Sequence, residues 1–402
     1  MASPRIAIIG GGIGGLAAAA FLHRGGLPCV VYEQAEELRE VGAGLIVAPN
    51  AARLLRRLGV LDALRGSAVR LETGWEFRRW QDGTVLSAED LSARCEQLYG
   101  EHTYTAHRAD VLDALSRAVP AGTVRLGKRA TDISVDGTAA TLTFADGESA
   151  EAGAVIGADG IHSIIRATFT TQAPPAYSGL CAFRALVRAR DAPAFARGPV
   201  QALWLGPGHH LVHYPVRAGE FINLVAVAPA GDYTTESWTA TATVEEFLAE
   251  FAGWDPRLTA IIQAADTPGR WALLDRAPLP RWSHGPVTLL GDAAHPMLPF
   301  FGQGAAQAIE DAAGLARRLT EDPADPVAAL RRYEADRLPR TTRLQEASHD
   351  RARLNHLPDG PEQRARDKEF ATVDPLLANG WIYGHDPDPA ADPDPAADPA
   401  AR

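Results

Sequence analysis

Cysteine is scarce in this chain of 402 residues: Cys29, Cys95 and Cys181 are the only three, and they lie far apart. They form no CxxC pair, no zinc pattern and no disulfide framework. A dithiol redox centre is thereby excluded, and a reducing, cytoplasmic setting is expected. Runs of Lys or Arg are also absent, and the net charge is −11. The chain therefore lacks the basic face of a nucleic-acid binder. An anionic ligand would have to be held by a few local cations or by helix N-termini. No metal-ligand spacing is visible. One strongly apolar run, residues 6–22, carries five glycines in six positions. That suits a strand–turn–helix better than a signal segment or a membrane span, and no other apolar run is long enough to span.

What is present reads first as a βαβ opening. Arg5 to Ile9 is a short β-run, glycines 10, 11, 12, 14 and 15 follow, Leu16 to Arg24 has helical character, and Cys29 to Tyr32 is a second strand ending at Glu33. Helices are expected at Asn50–Leu58 and Asp110–Val119. A hairpin is expected around Asp136-Gly137, and a buried strand at Ala154–Ile156. From about 176 to 230 strand-like runs recur: Cys181–Val187, Val200–Trp204, Leu211–Val216 and Phe221–Val227. They imply a mainly antiparallel sheet. Helices are then expected at Thr243–Phe251, Arg257–Ala264, Gln303–Leu319 and Val327–Leu344, with a strand at Val287–Leu290. The Pro/Asp/Ala repeat from 386 to 402 cannot bury a core and is expected to be disordered.

Gly10, Gly12 and Gly15 occupy the defining places of GxGxxG. Gly10 permits the tight turn after the strand, and Gly12 lets backbone approach a pyrophosphate. Gly15 lets the helix pack on the sheet, with its N-terminus facing the phosphates. Ile13 and Gly14 complete this turn. Glu33 stands at the end of the second strand, where a carboxylate accepts ribose hydroxyls. The motif alone does not distinguish FAD from NAD.

Two later segments extend the pattern. Ala158-Asp159-Gly160-Ile161-His162-Ser163-Ile164-Ile165-Arg166 follows one strand. Gly291-Asp292-Ala293-Ala294-His295-Pro296 follows another and continues through Gly302-Gln303-Gly304 into a helix. With the first glycine turn, these resemble the three fingerprints of the single-component, class A FAD-dependent aromatic monooxygenases. The branch of salicylate hydroxylase, 6-hydroxynicotinate 3-monooxygenase and 3-hydroxybenzoate 6-hydroxylase looks most similar. Val41-Gly42-Ala43-Gly44 with Pro49-Asn50, His107-Arg108-Ala109-Asp110, and Gly208-His209-His210-Leu211-Val212-His213-Tyr214-Pro215 resemble the same branch.

The resemblance implies an α/β (α+β overall) architecture. A Rossmann-like FAD-binding domain of the GR2-type flavoprotein hydroxylase fold would be interrupted by a mainly antiparallel β-sheet substrate domain. The expected FAD-binding portions are 1–70, 98–175 and 265–345, and the substrate portions are 71–97 and 176–264. A helical or irregular segment would occupy 346–385. FAD is the implied cofactor, NADH or NADPH the implied co-substrate, and O2 with a small phenolic or benzoate-like aromatic the other reactants. The expected oxygen donor to the ring is a C4a-hydroperoxyflavin. A monomer or homodimer without nucleic-acid or membrane partners is expected.

Residue by residue, the resemblance assigns Asp292 to the ribityl chain, and Arg108 and Arg39 to the phosphate or flavin-contacting region. Asp159 would serve a loop near both nucleotides, with Arg166 fixing that loop by an ion pair. Gly302, Gly304 and Ala305 open a helix whose N–H groups would face the flavin pyrimidine edge. His210 and Tyr214 match substrate-contact and acid/base positions, and on a strand they share one face. Arg184 is a candidate for a substrate carboxylate, although a structural role is the stronger expectation. His295 is expected to serve second-domain packing or loop support rather than catalysis. The 6-hydroxynicotinate enzymes carry a histidine where this chain has Ile46, which puts hydroxynicotinate in doubt as substrate. Other flavoproteins of the superfamily (epoxidase, oxidase or halogenase) and a non-catalytic flavin-binding protein remain alternatives. A halogenase is disfavoured by the absence of a WxWxIP signature.

Overall fold

The computed structural model describes residues 6–38, 43–170, 174–235 and 240–389. Arg5, Arg39 and the repeat from residue 390 onward lie outside the described residues.

The apolar run Ile6–Ile9 becomes the central strand of a five-stranded sheet. Across that sheet the order is Val287–Leu289, Ala154–Gly157, Ile6–Ile9, Cys29–Tyr32 and Val124–Arg125, and every neighbouring pair runs parallel. Ile6–Ile9 and Ala154–Gly157 are buried at every position. This is the pattern of strands covered on both faces. Helix Ile13–Arg24 packs beside helix Gly304–Glu321. Ala17–Ala20 are buried there, and their small side chains permit the close approach.

A second sheet has seven strands, in the order Gly269–Asp275, Ala176–Arg188, Phe221–Pro229, His209–Val216, Val200–Gly206, Thr73–Arg79 and Val85–Asp90. Its pairings are antiparallel except that between Val200–Gly206 and Thr73–Arg79. The mixed α/β architecture with a mainly antiparallel second sheet is therefore the one expected. Alternation along the strands sends Phe183, Trp204, Leu211 and Leu224 into a core with Phe247, Phe251, Leu258 and Ile261 from helices Val244–Glu250 and Pro256–Gln263. The opposite face, carrying His210, Val212 and Tyr214, turns away from those helices.

Three details differ from expectation. Gly269–Asp275, expected within the nucleotide-binding portion, pairs with Ala176–Arg188 at the edge of the second sheet. Its partner is remote in sequence, so no local pattern reveals the pairing. The helix expected to end at Leu344 spans Pro326–Asn355. Beyond 344 its buried positions are polar, among them Gln345, Ser348 and Asn355, and the apolar period fades there. The first residues of the tail are also held: Asp386 pairs with Arg57 at 2.5 Å. Composition does not register a specific ion pair of this kind. Among the described residues, no helix is long and apolar enough to cross a membrane. Cys29, Cys95 and Cys181 are buried and unpaired.

Candidate active site

The glycine turn divides into two kinds of glycine. Gly10 has φ 107°, and a Cβ there would overlap the Ala158 carbonyl. A Cβ on Gly15 would overlap the carbonyl of Gly10, and one on Gly14 would lie 2.6 Å from Leu290 Cδ2 and 3.1 Å from Ala308 Cβ. These three serve close packing of backbone and helix. Gly12 differs: a Cβ there would meet nothing within 4 Å. It caps helix Ile13–Arg24, whose N-terminus has no side-chain cap. Open space in front of free N–H groups suits an anionic ligand. Ile13 buries its side chain in the core, so only its backbone faces the turn. At the neighbouring strand end, Glu33 Oε2 accepts the Gly11 N–H at 2.6 Å and Oε1 accepts the Ala35 N–H at 2.8 Å.

The second and third turns converge on the first. A Cβ on Gly10 would touch Ala158 and Asp159, and Gly14 abuts Leu290 and Ala308. Asp159 has a local task. Its Oδ1 accepts the Ser163 hydroxyl at 2.5 Å, and its Oδ2 accepts the Ile164 and Ile165 N–H groups at 2.8 and 3.3 Å. It thus satisfies the first N–H groups of helix Ile164–Phe169, whose N-cap Ser163 accepts the Arg166 N–H. Burial raises its pKa against those hydrogen bonds. Arg166, expected to fix this loop, is buried and donates to the Ala293 carbonyl at 3.1 Å. Arg166 therefore ties the second turn to the third. Asp292 lies exposed in the single turn Gly291–Ala293.

Gly302 has φ 62°, and a Cβ on Gly304 would meet nothing within 4 Å. Helix Gly304–Glu321 starts there without a side-chain cap, and Ala305 is half-buried behind it. Gln303 is engaged elsewhere, because its Oε1 accepts Asn50 Nδ2 at 3.0 Å. Ile46 stands beside Gly302. Arg108 opens helix Arg108–Ala118, its N–H on the Ala43 carbonyl at 2.8 Å. Open cradles, uncapped helix starts and an exposed carboxylate are chemistry that fits a flavin dinucleotide.

A buried polar network braces this arrangement. Arg337 pairs with Glu310 at 2.5 Å and with Asp311 at 2.8 Å, and Arg340 pairs with Glu310 at 2.7 Å. His295 binds Asp311 at 2.6 Å, and Asp311 also accepts the Gly291 N–H at 3.0 Å. Asn50 donates to Glu310 at 2.6 Å. The network thus links the Asp292 turn to the Gln303 turn, and His295 acts as loop support. Burial alone would raise the Glu310 pKa. Arg337 and Arg340 outweigh it and bring the group down to about 2.

The sheet face opposite the helix-covered core carries His210 and Tyr214. The strand registers place Leu203, Val212, Val225 and Arg184 in one row. Val212, Val225 and Arg184 are only half-buried, although they lie on inner strands. His210 and Tyr214 flank Val212 and are buried. Tyr214 stands against Gly44, where a Cβ would be 2.7 Å from its ring, and Asn223 Oδ1 accepts the Gly44 N–H at 2.8 Å. Burial raises the Tyr214 pKa, with Arg184 opposing. His210 Nδ1 lies 2.8 Å from His356 Nε2, and its ring packs on Phe300 with centroids 5.4 Å apart. Burial, then His356 and His209, holds His210 well below the usual histidine pKa. The neighbouring histidines divide: His209 bonds Glu250 at 3.1 Å, and His213 lies buried with its pKa lowered to about 3 by burial and Arg78. His356 and Asn223 escaped the sequence pattern. Neither sits in a motif, and only tertiary contact reveals them.

Three converging turns with two uncapped glycine-led helix starts define a flavin dinucleotide enzyme. The chain belongs to the FAD binding domain family, which matches residues 4–348. It is 44% identical over 386 residues to 3-amino-4-hydroxybenzoate 2-monooxygenase PtnB3 of Streptomyces platensis, covering 96% of this chain and 97% of that protein. It is 38% identical to 6-hydroxynicotinate 3-monooxygenase of Bordetella bronchiseptica, covering 89% and 94%. The crystal structure of Klebsiella pneumoniae HpxO complexed with FAD and uric acid superposes with a TM-score of 0.84 at 30% identity, covering 94% of this chain and 96% of that one. The chain is an FAD-dependent aromatic monooxygenase of the class that consumes NAD(P)H and O2.

Proposed function

We propose that this enzyme hydroxylates a small phenolic or benzoate-like ring, with His210 as the proton acceptor and Tyr214 as its partner in holding the ring. The single observation carrying this reading is the row Val212–Val225–Arg184, left half-buried between His210 and Tyr214. That row sets two apolar side chains, Val212 and Val225, beside a basic nitrogen, a phenol and a guanidinium. Neutral His210 accepts a phenol proton, which raises electron density in the ring. Arg184 fits a ring carboxylate. Gly10, Gly12, Ile13, Gly14 and Gly15 form the diphosphate turn, and Glu33 takes the ribose. Asp292 takes the ribityl chain, and Gly302, Gly304 and Ala305 face the pyrimidine edge. Arg108 and Arg39 complete the set. Asp159 acts on the cofactor indirectly, through the turn it caps. When bound, FAD supplies the electron transfer and oxygen activation. The seven-stranded sheet is the substrate-binding part.

Closed walls suit the chemistry, since Phe300 and Phe301 are buried beside this face and keep water out. A cytoplasmic location fits three free cysteines. The test is a screen of aromatic acids and phenols, beginning with 3-amino-4-hydroxybenzoate, for faster NADH or NADPH oxidation and a product one oxygen heavier. Failure of every phenolic acid, with FAD bound, would overturn the substrate reading. Normal coupled hydroxylation in His210→Ala would remove His210 as the acceptor.

A further inference from the structure

The His210 ring does not end the hydrogen-bonded chain. Its Nδ1 lies 2.8 Å from His356 Nε2, and the two rings stack with centroids 5.0 Å apart. Phe300 packs against both, at 5.4 and 5.7 Å. His356 caps the C-terminus of helix Pro326–Asn355, and its carbonyl accepts the Gly208 N–H at 3.0 Å. That backbone bond docks the helix end on the turn before His209–Val216 and does not involve the imidazole. Among the described residues, the two outer nitrogens, His210 Nε2 and His356 Nδ1, have no hydrogen-bond partner. Neither is among the polar atoms sealed from solvent without one. His356 itself is half-buried, while His210 is buried.

Resting on the reading of His210 as proton acceptor, we propose that His356 is the second member of a proton relay, carrying the substrate proton from His210 to solvent. The step balances. The phenol O–H bond breaks and its proton joins His210 Nε2. The proton on His210 Nδ1 passes to His356 Nε2. The proton on His356 Nδ1 leaves to water. Before and after, both rings are neutral, and the pair has exchanged one tautomer for the other. Carbonyls at the C-terminus of the long helix favour the transient imidazolium on His356. Burial, then His209, lowers the His356 pKa to about 4, so the ring does not keep the proton it receives. The titratable groups facing the pair are His209 and, bonded to it, Glu250.

The test mixes the oxidised holoenzyme with 3-amino-4-hydroxybenzoate in a stopped-flow instrument. A pH indicator reports proton release, and the absorbance of the bound phenolate is followed in parallel. His356→Phe keeps the aromatic volume and loses the relay nitrogens. It should bind FAD and the acid within about twofold of wild type, yet release the proton at least about tenfold more slowly. Added imidazole should restore the rate. His356→Gln keeps a polar partner for His210 without passing a proton on. It should be slow as well, and it decides the matter if the Phe variant does not fold. Wild-type release rates and pH profile in both His356 variants, with His210→Ala slow, would overturn the relay alone. A wild-type rate in His210→Ala as well would remove the acceptor and the relay together.

Discussion

Arg337 lies 2.8 Å from Asp311, and both side chains are sealed from solvent. The same guanidinium reaches Glu310 at 2.5 Å. Removing it leaves Glu310 to Arg340 and Asp311 to His295, two buried carboxylates each short of a cation in a medium that solvates charge poorly. Arg337→Met should therefore cost about 3–5 kcal/mol in unfolding free energy. Arg317→Ala, which removes a more exposed pair with Asp336 at 3.0 Å, should cost no more than about 1 kcal/mol. Denaturant titration of both holoproteins checks this. Equal effects would mean that the buried network does not brace the flavin turns.

The glycines of the first turn should separate binding from folding. Gly12 has an ordinary backbone conformation and open space for a methyl group. Gly12→Ala should fold with an unchanged circular dichroism spectrum and lose FAD affinity by about tenfold or more, because the methyl occupies the phosphate approach. Gly15→Ala places a methyl group on the Gly10 carbonyl and should fail to accumulate as folded protein. A folded Gly15→Ala protein would contradict the packing described for that helix.

Much of this site was legible because the chemistry depends on backbone. GxGxxG, the Asp292 turn and Gly302–Gly304 announce themselves, since few residues other than glycine allow those conformations and approaches. His210 and Tyr214 came from the family resemblance, and strand alternation puts both on one face of the sheet. The contact of Arg166 with the Ala293 carbonyl was not legible, because the two lie 127 residues apart and only the fold brings them together. His356 was invisible because it lies beyond the apolar part of its helix, 146 residues from His210. Gly269–Asp275 joined the wrong portion for the same reason, a partner strand far away in sequence.

Two buried glutamates should give stability profiles of opposite sign. Glu310 is held at about 2 in the fold, below its usual 4.5. Its contribution is present above the unfolded value and is lost as pH falls from about 4.5 towards 2. Glu89 is raised to about 8, chiefly by burial, with Asn379 and Tyr383 as partners. The stability it confers is complete below about 4.5 and declines as pH rises to about 8. Glu89→Gln should therefore be neutral near pH 4 and more stable than wild type near pH 8. Glu310→Gln should be most harmful near neutrality and approach wild type in acid. Unfolding free energies across pH 3 to 8 test both, and parallel profiles for wild type and Glu89→Gln would refute the Glu89 assignment.

The two motif aspartates should part company on mutation. Asp159 directs both oxygens into its own loop, at 2.5, 2.8 and 3.3 Å, and so acts as a helix cap. Asp159→Ala should lower unfolding free energy by about 1 kcal/mol, as loss of a capping carboxylate does. Asp292 is exposed in its turn. Asp292→Ala should leave the stability of the apoprotein unchanged while weakening FAD about ten- to a hundredfold, the effect of one hydrogen bond to a charged group. Thermal unfolding without cofactor, beside FAD titration by fluorescence quenching, separates the two. If Asp292→Ala kept wild-type FAD affinity, the ribityl contact would have to come from another residue, and the third turn would serve packing alone.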